Sequence, residues 1–170
     1  MLTDADKKWL DHLSDTDKIK IVTFDPTSEE KFQIIKAKIK KALPEFELLH
    51  KGASSFGISG QDEIDTYLPV PEHLFDEYVE KLSKILGPYK KLYPNDRVHF
   101  INEELGKRID IYLMNEDGVS WKKNSKIDAY LRSHPDALEE YRKLKEAGNG
   151  LSVREYYTRK TEFFNKILNL

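Results

Sequence analysis

The sequence predicts an α+β fold with a C-terminal helical segment, and three observations carry that prediction. Several stretches in the first two thirds alternate apolar and polar residues at the two-residue period of half-buried strands. Stretches with helical spacing lie between them. After Trp121 the pattern is helical throughout. Strands mixed with helices, then helices alone, describe an α+β core with an added helical part. The chain has 170 residues, 39% of them hydrophobic, enough to build one domain with a packed interior. We expect a helical extension over residues 1–18, an α/β core over 19–120, and helices over 121–170 packed on that core as a single domain.

The elements follow in order. Residues 3–14 can form a short helix, with Thr3 as its N-cap and Trp9, Leu10 and Leu13 on one side. "KIKIVTF" then alternates as a first strand over residues 18–24. Thr27 to Glu30 has the spacing of a capping box, which would satisfy the free N–H groups of a helix carrying Phe32, Ile35, Ile39 and Ala42 on one face. Pro44 ends that helix. "FELLH", residues 46–50, reads as a second short strand. The strand from Glu63 to Val70 splits its side chains between two faces. Ile64, Thr66, Leu68 and Val70 take one, and Glu63, Asp65 and Tyr67 the other. An amphipathic helix follows with Leu74, Tyr78, Leu82 and Ile85 inward, stopped by Gly87 and Pro88. "YKKLY", "VHFIN" and "KRIDIYLM" are further strands. In the last, Ile109, Ile111 and Leu113 oppose Arg108, Asp110 and Tyr112. Beyond Trp121 a break at His134-Pro135 starts a new helix at its first turn. Ser152 to Glu155 is a second capping box opening a closing helix with Tyr156, Lys160, Phe163 and Ile167 in register.

Composition narrows the function. The formal net charge is −2, so the chain has no global basic field to hold nucleic acid or an anionic membrane. A nucleic-acid partner is disfavoured, although Lys122, Lys123 and Lys126 form a local basic patch. There is no cysteine, which removes disulfides and thiolate metal sites. The first residues lack the apolar stretch of a signal peptide, and no run approaches a membrane span. We therefore expect a soluble, cytoplasmic protein with no membrane partner; its oligomeric state is left open.

The informative stretch is "GASSFGISGQDEIDTYL". A small glycine- and serine-bearing loop runs into a strand that projects two acids, Glu63 and Asp65, from one face. Asp110 has the same alternation on a later strand. If the two strands are neighbours, three carboxylates share one face. Oxygen donors of this kind suit Mg²⁺ or Mn²⁺, which keep positions open for water and substrate phosphates. The loop's glycines and serines can bring backbone N–H groups to a phosphate. Plainer readings exist for each part. An acid-x-acid pair can be a solvated edge, Arg108 can pair with Asp110, and His50 is most simply a hydrogen-bonded structural histidine. None of the five histidines forms a pair with metal-ligand spacing.

The order of these parts resembles the polymerase-beta-like nucleotidyltransferase superfamily, and within it the GrpB family. "HKGASSFGISGQDEID" is similar to the GrpB loop, His-x-Gly-Ser-Thr-Ser followed by an Asp-bearing strand. "YLRSHPDALEEYRKLK" resembles the family's helix-Pro-helix segment, with Tyr130, Leu131, Arg132, Pro135, Tyr141, Leu144 and Lys145 in place. "YYTRKTEFFNKIL" resembles its closing helix through Tyr157, Lys160 and Phe164. The likeness spans about residues 19 to 168.

The resemblance implies a nucleotidyltransferase-like mixed sheet flanked by helices. It implies that Gly52, Ser54, Ser55 and Lys51 face phosphates. Glu63, Asp65 and Asp110 would be the metal ligands and catalytic acids, with Asp110 as base for an incoming hydroxyl. The cofactor would be Mg²⁺ or Mn²⁺, and the partner a nucleoside triphosphate or related small molecule. The sequence departs from the family at Ala53, where Ser is usual, and at Gln61, where Lys is common; it also lacks the loop proline. Three functions follow. The first is metal-dependent transfer of a nucleoside monophosphate from a nucleoside triphosphate to an unknown acceptor. The second is an inactive module binding a nucleotide or coenzyme A, and the third a structural protein whose acids pair with Lys51, Lys107 or Arg108.

Overall fold

The computed structural model describes residues 1–169, which gather into two compact units. One comprises residues 24–58 and 62–125 and contains the sheet. The other comprises residues 1–23, 59–61 and the chain from Lys126 onward, and is helical.

In chain order the helices are α1 (Asp4–Leu10), α2 (Ser28–Ala42), α3 (Gly52–Ser55), α4 (Phe75–Leu86), α5 (Val119–Ser133), α6 (Pro135–Ala147) and α7 (Val153–Leu168). The strands are β1 (Leu49–Lys51), β2 (Glu63–Val70), β3 (Lys91–Tyr93), β4 (Arg97–Glu104) and β5 (Lys107–Asn115), and they form one sheet in the order β1-β2-β5-β4-β3. The β2–β5 pair is parallel and the other three pairs are antiparallel, so the sheet is mixed as the family resemblance implies. A tight turn at Leu105 and Gly106 joins β4 to β5, both residues at positive φ, 55° and 70°. That conformation matches the right-handed twist of the strands it connects.

One face of this sheet is the core. Ile64, Leu68, Val70, Val98, Phe100, Ile109, Ile111 and Leu113 pack against Phe32, Ile35 and Ile39 of α2 and Phe75, Tyr78 and Leu82 of α4. Each such side chain contributes about 1.5–3 kcal/mol by leaving water. The α4 stripe differs in one respect from the sequence expectation. Phe75 is buried and Ile85 lies 39% exposed at the helix end.

Helix α2 also starts differently. No side chain of Thr27 caps it, so the expected box with Glu30 is not made. Asp25 takes over: its carboxylate accepts from Thr27 N at 2.9 Å, from Thr27 Oγ1 at 2.7 Å and from Lys31 Nζ at 2.8 Å. The aspartate just before the helix accepts the Thr27 N–H that the Glu30 side chain would take in the box, and it turns the Thr27 hydroxyl into a donor, away from the helix N–H groups.

In the helical unit, Thr3 and Asp6 form a reciprocal capping box that opens α1. Ser152 caps α7 by accepting from Glu155 N at 3.1 Å. Arg154 donates to the carbonyls of Leu10, Asp11 and Leu13, closing the end of α1. The strand expected over residues 18–24 does not form. Two isolated bridges stand in its place, Lys18 with Ser152 and Val22 with Gly60. The alternation still buries Ile19, but the neighbours here are turns, which offer single extended residues and cannot build a ladder. Among the described residues, no helix is long and apolar enough to cross a membrane.

Candidate functional site

The second face of the sheet is polar, and its composition follows from strand register. Asp65 of β2 lies directly beside Asp110 of β5, Glu63 beside Arg108, and Tyr67 beside Tyr112. Neighbouring strands stand about 4.8 Å apart, so these register partners are close neighbours. The adjacency that the sequence left open is thus present. On the far side of β2, Lys51 of β1 is the register partner of Asp65. On the far side of β5, His99 of β4 faces Tyr112.

The glycine loop begins where β1 ends. Gly52 has φ +69°, and a Cβ built on it would sit 1.9 Å from Asp65 Oδ2. Only glycine allows the chain to turn here with the Asp65 carboxylate laid against it. The following residues make a single helical turn, α3, closed by Phe56 N donating to Ala53 O at 3.1 Å. Ala53 is buried, so its side chain faces the interior.

Ser54 Oγ lies 2.9 Å from His50 Nε2, and Ser55 Oγ donates to Gly52 O at 2.9 Å. His50 is hydrogen-bonded through both ring nitrogens. Its Nδ1 is 2.8 Å from Glu29 Oε2, and its ring stacks on Phe32 at 4.7 Å.

Asp110 is the most buried acid of the face, with its side chain 2% exposed. His99 Nε2 and Arg108 Nη2 both contact its Oδ1, the latter at 2.8 Å. Burial alone would raise its pKa. The hydrogen bonds from His99 and Arg108 more than offset that, and the carboxyl is held below its ordinary range. Its other oxygen, Oδ2, is buried with no hydrogen-bond partner. A buried acceptor left bare costs roughly 1–3 kcal/mol, more when charged.

Tyr112 completes the cluster. Its ring stacks on His99 at 4.3 Å and meets Tyr67 edge-on at 5.4 Å. Burial raises its phenol pKa, and the negative charges of Asp65, Asp110 and Glu63 push it further. All three predicted acids therefore act on one phenol.

They do not gather round one point. Among the described residues, no group of three or more His, Cys, Asp or Glu side chains is assembled for a metal ion. The reason lies in the partners: Asp65 is laid against Gly52 on the β1 side, while Asp110 is held by His99 and Arg108. The donor set still fits Mg²⁺, which typically takes one or two carboxylates and fills its remaining positions with water and substrate phosphates. Asp110 Oδ2 is the atom that most needs such a cation. Asp65 on the adjacent strand is the second ligand candidate.

His99 and Arg108 are the residues whose part in the site the sequence pattern understates. The hairpin turn at Leu105-Gly106 was the available signal. Pairing Glu104 with Lys107 across it sets His99 opposite Tyr112 and diagonal to Asp110. Lys107 takes another course, forming ion pairs with Asp25 and Asp62.

Acids on adjacent strands beside a glycine turn mark the polar face of a mixed five-stranded α+β sheet. The family model described as GrpB protein matches residues 18–170, and the chain belongs to that family. The crystal structure of conserved protein GrpB from Enterococcus faecalis is similar at 19% identity and a TM-score of 0.67, covering 86% of this chain and 93% of that one. The Cid1 poly(U) polymerase structure is similar at 14% identity and a TM-score of 0.39, over 74% of this chain and 41% of that one. A cytoplasmic RNA terminal U-transferase is similar at 14% identity and a TM-score of 0.40, over 74% and 40% of the two chains. No curated protein sequence matches the chain.

Proposed function

We propose that this protein is a metal-dependent nucleotidyltransferase, moving a nucleoside monophosphate from a nucleoside triphosphate to an acceptor hydroxyl. The observation that carries the reading is the β2–β5 register. It sets Asp65 beside Asp110, on a face where Asp65 also backs the glycine of the loop.

In this reading the loop from Gly52 to Ser55, with Lys51 beside it, holds the phosphates. Asp65 and Asp110 would hold Mg²⁺, with Glu63 at the rim. A divalent cation there supplies charge neutralisation at the transferred phosphoryl group. The acceptor hydroxyl oxygen forms a bond to the α-phosphorus, the bond from that phosphorus to the bridging oxygen breaks, and pyrophosphate leaves. Asp110, the buried carboxylate beside Asp65, would also be the group that takes the hydroxyl proton. His99 fixes the carboxylate through Oδ1 while that happens.

One observation favours a second reading, a nucleotide-binding module without turnover. Ser54 and Ser55 both spend their hydroxyls on the protein itself, and Arg108 occupies Asp110. Both readings predict metal-dependent ligand binding, and only the first predicts pyrophosphate release.

Thermal melting tests them, using the four ribonucleoside triphosphates and coenzyme A with and without Mg²⁺ or Mn²⁺. At about 100 times the dissociation constant a bound ligand stabilises by about 2.7 kcal/mol. The expected result is a metal-dependent shift with a triphosphate that is lost in Asp65→Asn. A shift indifferent to metal and to Asp65 would sink both readings.

A further inference from the structure

We infer that Arg108 is a resident counter-ion: it occupies the acidic face in place of a metal and moves to the phosphoryl oxygens when the metal and a polyphosphate bind together. The inference rests on reading this face as a metal–triphosphate site.

The geometry supporting it is asymmetric. Arg108 Nη2 lies 2.8 Å from Asp110 Oδ1, yet the arginine side chain is 49% exposed and the aspartate 2%. The anion is fixed in the interior and the cation stands at the rim. Arg108 is also the register partner of Glu63, whose negative charge acts on the guanidinium together with that of Asp110. One cation therefore sits among the acids that a metal would use. Arg108 sits on Oδ1 of the carboxylate whose Oδ2 is the metal's candidate atom, and like charges on one carboxylate repel, so metal binding there favours departure of Arg108.

Leaving is cheap for the rest of the site. Being half-exposed, Arg108 gives up little packing. His99 remains on Asp110 Oδ1 and is itself held by its stack on Tyr112, 4.3 Å between centroids and 10° from parallel. The carboxylate thus keeps its orientation after the arginine has gone. The guanidinium is a planar fork of donors that matches phosphoryl oxygens as well as it matches a carboxylate. A polyphosphate therefore offers Arg108 a replacement partner that a free metal ion does not. The consequence is positive coupling: metal and polyphosphate each bind weakly alone and strengthen one another.

The test separates this from a merely structural arginine because it predicts effects of opposite sign. Free Mn²⁺ affinity is measured by electron paramagnetic resonance. Affinity for Mg²⁺–tripolyphosphate, the polyanion common to all triphosphates, is measured by titration calorimetry. In Arg108→Met, Mn²⁺ should bind about tenfold tighter and Mg²⁺–tripolyphosphate about tenfold weaker, the size of one charge-assisted hydrogen bond. An arginine with only a structural role would weaken both or move neither, and either result overturns the inference. Should Arg108→Met not fold, Arg108→Lys keeps the charge and loses the fork. It should leave Mn²⁺ affinity near the native value and weaken tripolyphosphate a few-fold; native tripolyphosphate affinity in that variant overturns the inference. The parent reading fails separately, and takes the inference with it, if neither the native protein nor Arg108→Met binds Mn²⁺. If the native protein binds Mg²⁺–tripolyphosphate and Arg108→Met changes nothing, the metal–triphosphate site stands and the counter-ion role falls.

Discussion

The two faces of the sheet come from the same strands, yet they are held by different physics. On the core face, Ile64, Leu68, Ile109, Ile111 and Phe100 are all at most 1% exposed and packed on α2 and α4. Their contribution is non-directional and scales with the area removed from water. On the other face, Glu63, Asp65, Arg108, Asp110, Tyr112 and His99 are held by pairwise geometry: a shared carboxylate oxygen, a ring stack, a glycine with no Cβ. The lesson is that the first face fixes the fold and tolerates substitution of like for like. The second depends on a few directional contacts, so its response to a substitution depends on which contact is removed.

The sharpest test of that contrast is Phe100→Ala. It empties the core face and should cost about 3–5 kcal/mol, read as a lower urea midpoint with the fold otherwise intact. On the polar face the largest effect should come from Gly52→Ala. The new Cβ meets the Asp65 carboxylate at 1.9 Å and the φ of +69° disfavours any side chain. We expect a loss of about 2–3 kcal/mol from strain together with loss of triphosphate-induced stabilisation. If stability falls but ligand stabilisation survives, the loop is not the phosphate site.

Next in size is Asp110→Asn, expected to cost about 2 kcal/mol at pH 7 by weakening the contacts to His99 and Arg108. The same residue gives a pH signature. Its native pKa is lowered, so it contributes stability above the ordinary Asp value of about 3.9 and loses that contribution as pH falls through the native value. Between about pH 5 and pH 2.5, denaturant midpoints of the native protein should therefore fall further than those of Asp110→Asn, as linkage requires. Equal slopes would mean the carboxylate is not held by its two donors. The smallest effect belongs to Glu63→Gln. This site lies at the partly exposed start of β2, and stability should move by no more than about 0.5 kcal/mol. Its Mn²⁺ affinity should fall less than that of Asp65→Asn.

Much of the fold is legible in the residue pattern. The alternation from Glu63 to Val70 and from Lys107 onward predicts β2 and β5, and the helical spacing after Trp121 predicts α5, α6 and α7. These elements are written in period and in punctuation such as Pro135, which stands at the first position of α6. Residues 18–24 show where period misleads. Alternation requires burial of one side, which Ile19 obtains, but a strand also needs a partner strand, and isolated bridges to Ser152 and Gly60 do not supply one. The Thr27 box fails for a related reason. Asp25 takes the Thr27 N–H and engages the Thr27 hydroxyl as a donor, and which acceptor reaches those groups is a matter of position rather than pattern.

By itself the sequence determined the α+β class, the two-sided character of β2 and β5, the glycine loop, and the side of its own strand on which each of the three acids lies. Local periodicity and side-chain chemistry suffice for these because each depends on residues close in the chain. Only the tertiary structure decided that Asp65 and Asp110 are register partners, that Gly52 is the seat of the Asp65 carboxylate, and that His99 and Arg108 converge on one oxygen of Asp110. Those contacts join residues from different strands, and strand order and register are set by the whole packed sheet rather than by any one stretch of it.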